Sequence, residues 1–468
     1  MLPKPHDSPS SFEPKQRLLG PAENGILRIS QQFQGYQKVG QVLHLQGPYI
    51  SLETLSSSIS CLQRRHPFLR SRLQISSTEP DIYLMEEDDT LCLKILEIPR
   101  KNADHLHFWR QAWKEREKDT IVIGQGLAEF WLLQDAADQN IENNPREIVF
   151  ICDHSICDGV SLSTVAHELL ITLSDNSISM TSHSLNWPIT MEAAARQSLS
   201  RWGILIAFSK LAIAFLYWKA TSSQPTARLP WTNVDFSLDD MHKYCHTETR
   251  YGMLTKEETK KLFETCRREG VTVTSAISSA ILCIISTLVS VDNNQMTNLV
   301  LAIPADTRRR CIPPVPNHEL SYQVSGVMGF TMATRDTPTE SKGMWQLAKT
   351  FGHHVNKSVD AGHILALAMV MGKIYQKNIG PIDIAHLPTT IITNWGRLPF
   401  HEQYGKWKLT EMTPIGNLIR AVMPVFMLQT VNGILTVACG GAAPLISETI
   451  IENLCNGTMH NLRQMIED

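Results

Sequence analysis

The sequence predicts an α/β protein built as two lobes. Two stretches carry this reading. A β-rich apolar run leads through a short loop into an amphipathic helix at residues 146–173, and a second series of capped helices and strands runs from residue 255 to 439. At 468 residues the chain is long enough for two substantial cores, since domains usually take about 100–200 residues.

The elements follow in order. Residues 1–15 (MLPKPHDSPSSFEPK) are polar and proline-rich and read as a loose tail, with no apolar stretch of the signal-peptide kind. The N-terminal lobe is placed at 16–190. Within it, Ser51 caps a helix whose Leu52, Leu55, Ile59 and Leu62 share one face. The helix stops before Pro67, because the residue ahead of a proline is pushed towards extended geometry. Arg146–Cys152 reads as a buried strand, and Leu162, Val165, Ala166, Leu169, Leu170 and Leu173 keep the spacing of an amphipathic helix.

Residues 174–190 and 221–230 lose periodicity and gain Ser, Asn and Pro, which places the crossover between lobes at 191–235. This crossover contains Trp202–Trp218, apolar on every face except at Lys210. As a helix its 17 residues reach about 25 Å, short of the roughly 20 residues that usually span a bilayer. A buried crossover helix is the favoured reading on length. The alternative is an interfacial helix with tryptophans at both ends, giving peripheral membrane contact and a route for a lipid chain or alcohol.

The C-terminal lobe is placed at 236–468. It opens with a capping box at Thr255 and Glu258, followed by a helix from Thr274 with Ile277, Ile281, Ile285 and Leu288 on its buried face. Leu299–Ile303 and Thr390–Thr393 read as strands. Val425–Val431 and Ile434–Cys439 read as a hairpin, because Asn432-Gly433 favours the positive φ angles of a type I′ turn.

Composition narrows the function classes. With 43 Lys+Arg against 46 Asp+Glu the net charge is −3, and nothing clusters into a nucleic-acid footprint. Hydrophobic residues at 43% and charged residues at 19% exclude a disordered, collagen-like or coiled-coil chain. The ten cysteines form no CxxC pair, so a zinc ribbon is not expected, and reduced thiols point to a cytoplasmic protein. No glycine-rich phosphate loop follows a strand and no dense ligand cluster occurs, so no metal and no cofactor is expected.

The chemistry concentrates in the loop Asp153-His154-Ser155-Ile156-Cys157-Asp158-Gly159. Histidine, with an ordinary pKa of about 6.5, is suited to removing a proton near neutral pH. Asp158 can orient the loop, and Gly159 permits a sharp turn into the helix. On spacing alone a capped loop with no reaction to perform stands ahead, because His-x-x-x-Asp is short and frequent. Cys157 with His154 as a Cys-His hydrolase is a rival without an evident orienting partner, and His353-His354 reads as a helix surface pair.

Context changes the balance. His-x-x-x-Asp-Gly between an apolar strand and an amphipathic helix resembles the active-site motif of the chloramphenicol-acetyltransferase-like superfamily, which includes alcohol acetyltransferases, phthiocerol-type acyltransferases and the condensation domains of peptide synthetases. Arg65-His66-Pro67-Phe68-Leu69-Arg70, Gly270–Thr274, Pro304-Ala305-Asp306-Thr307-Arg308 and Thr393-Asn394-Trp395-Gly396 resemble further segments of that superfamily in the same order.

The resemblance implies two lobes, each a mixed sheet with helices, and an active-site tunnel between them. It implies His154 as general base for attack of a hydroxyl on an acyl thioester, most plausibly acyl-CoA as co-substrate. Asp158 then pairs with Arg308 to fix the loop. Asn394, Trp395 and Gly396 line the tunnel or form a plain strand-end turn. Arg309 and Arg310 form a solvated basic turn or meet a phosphate of coenzyme A. Peptide-synthetase condensation domains carry a doubled histidine where this chain has Asp153, which favours ester over amide formation. Asp153 would also raise the imidazole pKa if both face one cavity. Expected partners are a small acyl donor and an alcohol or lipid acceptor. A carrier protein acting in trans and a degenerate binding protein are the alternatives, and the chain is expected to be a monomer.

Overall fold

Two six-stranded mixed sheets organise the chain. The computed structural model describes residues 15–79, 81–100, 107–135, 144–174, 183–221, 224–289 and 296–467, so the expected tail at 1–15 lies almost wholly outside the described residues. The strands of these sheets are β1 (Val39–Gln46), β2 (Lys94–Pro99), β3 (Ala128–Gln134), β4 (Pro145–Cys152), β5 (His246–Met253), β6 (Asn298–Ala302), β7 (Phe330–Ala333), β8 (Thr390–Arg397), β9 (Gln403–Tyr404), β10 (Trp407–Gly416), β11 (Val425–Val431) and β12 (Ile434–Ala443). The helices used below are α1 (Pro21–Gln32), α2 (Leu52–Arg65), α3 (Gly159–Ser174), α4 (Arg201–Thr221), α5 (Lys256–Glu269), α6 (Val273–Leu288), α7 (Ser341–Asp360), α8 (His363–Ala368) and α9 (Glu448–Glu467).

The first sheet has the order β9-β10-β1-β4-β3-β2 and the second β7-β6-β8-β11-β12-β5. Both are mixed. In the first, β2 and β3 run parallel while β4 is antiparallel to β1 and β3; in the second, β8 runs parallel to β6 and β11. The central strand β4 is buried over nearly its whole length, which explains its unbroken apolar run Ile148-Val149-Phe150-Ile151. Asn432 and Gly433 sit at φ 49° and 81°, as a type I′ hairpin between β11 and β12 requires.

Two features depart from expectation. Strands β9 and β10 lie late in the chain yet extend the first sheet along β1, with Met412 opposite Leu43. Their Tyr404, Trp407 and Leu409 join the N-terminal core. Sheet membership therefore crosses the expected division at 191–235. The second departure is α4. It is 21 residues long rather than 17, and it is exposed, not a buried crossover: Trp202 is 75%, Ile213 67% and Leu216 64% accessible. Uniform apolarity reports attraction to an apolar environment, and protein interior is only one such environment.

Alpha helix α4 packs its narrow inner side near α8 and forms one wall of a cavity of about 1170 Å³, shared with β7 and α7. That cavity does not include His154, so this apolar hollow is not the tunnel expected between the lobes.

Candidate active site

The loop after β4 is built by its own aspartates. Asp153 Oδ1 accepts the Ser155 amide at 3.0 Å and its carbonyl accepts the Ile156 amide at 3.2 Å, an Asx turn that reverses the chain directly after the strand. Asp158 caps α3: its carbonyl accepts the Leu162 amide at 2.8 Å, and its Oδ1 accepts the Val160 and Ser161 amides at 3.1 and 3.0 Å. Both ends of the loop are thereby anchored, to the strand and to the helix.

Between these anchors the His154 Nδ1–H donates to the Cys157 carbonyl at 2.7 Å. This fixes the tautomer and leaves Nε2 with its lone pair, and Nε2 makes no hydrogen bond among the described residues. His154 is half-buried, and its ring stands edge-to-face against Tyr322 with centroids 5.3 Å apart. Burial alone would lower the His154 pKa, but its contacts with Cys157 and the field of the Asp158 carboxylate outweigh that and hold it above the usual 6.5. Cys157 is fully buried. Burial, with the neighbouring Cys152 thiol, pushes its pKa well above the usual 9.0, so a thiolate nucleophile has no support here.

Asp158 turns away from the ring into the second half of the chain. Its Oδ2 lies 2.8 Å from Arg308 Nη1 and accepts the Gln323 amide at 2.9 Å. Arg308 is itself buried, and also bonds Asp306 at 2.9 Å and the Ser321 carbonyl at 3.1 Å. The loop that carries His154 is therefore held by residues from both sides of the crossover. Arg309 and Arg310 are exposed.

Gly159 answers to packing. A Cβ there would lie 2.3 Å from three atoms of the Trp395 indole, so the ring from β8 lies directly against the start of α3. Trp395 also packs on the N-terminal core. Asn394 sits at the bulge in β8: its Nδ2 donates to Thr274 Oγ1 on α6 and its Oδ1 accepts the Gly396 amide, both at 2.8 Å. Gly396 takes φ 78° at the bulge in β8, where a Cβ would meet no atom within 4 Å. The structure thus brings His154, Asp158, Gly159, Arg308 and Trp395 together at the junction of the two halves. It places Asn394 and Gly396 at the strand bulge that presents Trp395.

Asp153 is a correction. It lines a separate cavity of about 250 Å³ with Lys38, Glu129 and Cys152, and is not among the groups that shift His154. His154, set in the turn and packed against Tyr322, does not line that cavity. Three further residues, which carry no signal in the sequence, complete the site. Tyr322 holds the imidazole from one side, its hydroxyl bonded to that of Tyr375. Ser321 and Gln323 complete the Asp158–Arg308 cluster. They sit in Leu320-Ser321-Tyr322-Gln323, a run without periodicity or charge to mark it.

The segment Arg65-His66-Pro67 has a bracing role. His66 Nε2 lies 2.7 Å from Glu168 Oε2 and Arg65 Nε 3.1 Å from the same oxygen, which ties the end of α2 to α3. Burial alone would raise the Glu168 pKa; His66 and Arg65 outweigh it and hold it below the usual value. His353 is an exposed helix residue, whereas His354 Nε2 donates to the Met328 carbonyl at 2.7 Å. Among the described residues His246, Glu248 and Glu448 bring metal-ligating atoms together, but Arg250 already pairs with both carboxylates.

Residues 246–438 match the family model described as phthiocerol/phthiodiolone dimycocerosyl transferase C-terminus. No curated protein matches the chain significantly in sequence. Among solved structures, the trichothecene 15-O-acetyltransferase TRI3 of Fusarium sporotrichioides is similar at TM-score 0.77 and 11% identity, over 98% of this chain and 97% of that one. Polyketide synthase associated protein 5 of Mycobacterium tuberculosis is similar at TM-score 0.65 and 16% identity, over 95% and 98%. The first condensation domain of the CDA synthetase is similar at TM-score 0.67 and 12% identity, over 97% of each chain.

Proposed function

Because this chain has the two-lobed fold of the chloramphenicol-acetyltransferase-like and condensation-domain superfamily, we propose that it is an O-acyltransferase that moves an acyl group from a thioester, acyl-CoA in the first instance, to a hydroxyl acceptor. The observation that carries the reading is the state of one ring. His154 gives its Nδ1 proton to the Cys157 carbonyl and keeps a free Nε2 lone pair at the junction of the two halves.

In the reaction, Nε2 takes the proton of the acceptor hydroxyl as the oxygen forms its bond to the thioester carbonyl carbon. The carbonyl π electrons move to oxygen, giving a tetrahedral oxyanion. Collapse re-forms the carbonyl and breaks the carbon–sulfur bond, and the thiolate leaves with the proton returned from Nε2. The thioester arrives activated, so no acyl-enzyme is needed and the buried Cys157 has no part. General-base assistance of this kind is worth about 10²–10⁴-fold, or roughly 3–5.5 kcal/mol of barrier. Asp158 and Arg308 act as positioning residues by fixing the loop that carries the base. Arg309 and Arg310, exposed beside Arg308, offer positive charge to the phosphates of a coenzyme A donor.

The test is thiol release with a panel of alcohols and amines, using acetyl-CoA, longer acyl-CoA thioesters and acyl carrier protein as donors. Release from CoA thioesters with an alcohol is the expected result. Release only from carrier protein would make the chain a condensation enzyme working in trans. No release from either would leave a binding protein of the same fold.

A further inference from the structure

Helix α4 is the largest feature the transfer chemistry leaves unused. It is 21 residues long, about 31 Å, and only 6% of its apolar stretch is buried, which separates it from the core helices of a soluble protein. At 100° per residue, Trp202, Leu205, Ile206, Ser209, Ala212, Ile213 and Leu216 fall within one outward arc of about 120°. The arc holds no charge, and the Ser209 hydroxyl is spent on the Leu205 carbonyl at 2.9 Å. Leu205 and Ile206 are 56% and 53% accessible.

Charge frames this arc. Arg201 and Lys219 are 18 residues, five full turns, apart, and so lie on one flank; Lys210 lies on the opposite flank. Residues 193–234 contain five Lys/Arg (Arg196, Arg201, Lys210, Lys219, Arg228) and no Asp or Glu, within a chain whose net charge is −3. Trp202 stands at one end and Phe215 at the other, where aromatic rings favour a membrane–water boundary.

We infer that α4 lies in the interface of an anionic lipid bilayer, its outer arc among the acyl chains and its basic flanks at the headgroups. A second copy of the chain fits less well, because facing arcs would bring cationic flanks together with no acidic residue from 193 to 234 to answer them. The helix does not span the bilayer in this arrangement: Ala207 is buried against the protein and the Trp218 indole donates to Thr331 at 2.9 Å, so its inner side stays on the body.

The test is flotation of the full chain with vesicles of phosphatidylcholine, with and without phosphatidylserine, at low and high salt. The wild type is expected to float with the anionic vesicles and to be released by salt. Leu205→Glu/Ile213→Glu should abolish flotation. Arg201→Gln/Lys219→Gln should weaken binding to anionic vesicles about 30-fold, at about fivefold per charge. Both variants should keep the wild-type thermal unfolding curve and the wild-type rate of thiol release with a water-soluble acceptor, which separates this outcome from failure of the transferase reading. A wild type that stays off anionic vesicles at low salt would overturn the proposal. So would a wild-type dimer in light scattering that Leu205→Glu/Ile213→Glu converts to monomer while vesicles capture neither.

Discussion

Asp158→Asn removes a charge from the centre of the site and leaves its shape. Each carboxylate oxygen now faces donors only. Oδ1 accepts the Val160 and Ser161 amides at 3.1 and 3.0 Å, and Oδ2 accepts the Gln323 amide at 2.9 Å while lying 2.8 Å from Arg308 Nη1. An amide must turn its NH₂ towards two donors in either orientation, and its oxygen can satisfy only one side. It also leaves the fully buried Arg308 with Asp306, a carboxylate 36% accessible, as its one remaining counter-ion in the cluster. Removing one partner of a buried pair costs about 3–5 kcal/mol. With Asp306 retained, the lower end applies: about 3 kcal/mol, roughly a hundredfold in the folding equilibrium. Urea unfolding followed by tryptophan fluorescence measures it, with Asp306→Asn alongside, which should cost less because that carboxylate is partly open to solvent and Asp158 still faces Arg308. Thiol release should fall with the same substitution, because the loop carrying His154 loosens. An Asp158→Asn protein that unfolds at the wild-type urea concentration would refute the assignment of this pair as the anchor of the loop.

Three further outcomes are expected. The pH profile of kcat/KM should fall with a slope of one below a pKa that lies above 6.5, because only the neutral imidazole accepts the hydroxyl proton and the surroundings of His154 favour its charged form; a rate flat from pH 8 to well below 6 would contradict this. Gly159→Ala should destabilise by about 1–3 kcal/mol, since its methyl falls on the Trp395 ring, and adding Trp395→Ala should recover part of that loss in thermal unfolding; additive losses would show that the contact does not matter. Glu192 accepts the Ala22 amide while its other oxygen is buried without a partner, and burial, with the nearby Glu23 charge, pushes its pKa up to about 7. Its raised pKa favours the fold fully below 4.5, and that advantage is lost as pH rises to about 7. Glu192→Gln should therefore gain on the wild type as pH rises, by up to about 3 kcal/mol at pH 8, and equal stabilities at pH 5 and 8 would sink the assignment.

Much of the site was legible because local chemistry set it. Asn432-Gly433 permits positive φ and the hairpin follows; Ser51 and Thr255 cap helices with their own side chains. The partnership of Asp158 with Arg308 was reachable only through resemblance, since 150 residues separate them and no local rule joins them. What stayed hidden depends on long-range packing. The return of β10 to the first sheet is decided by which edge of β1 is free, a fact no window of sequence contains. Tyr322 is an ordinary tyrosine until the fold sets it against His154. The apolar run of α4 reads alike whether buried or exposed, and only coordinates distinguish the two.

One comparison bears most directly on the role given to His154: the initial rate of thiol release from acetyl-CoA with an accepted alcohol, wild type against His154→Ala, each shown folded by circular dichroism. Loss of the imidazole should slow release by about 10²–10⁴-fold and leave the unfolding transition in place. A folded His154→Ala protein that turns over at the wild-type rate would mean that the acceptor proton leaves by another route and that this ring is not the base.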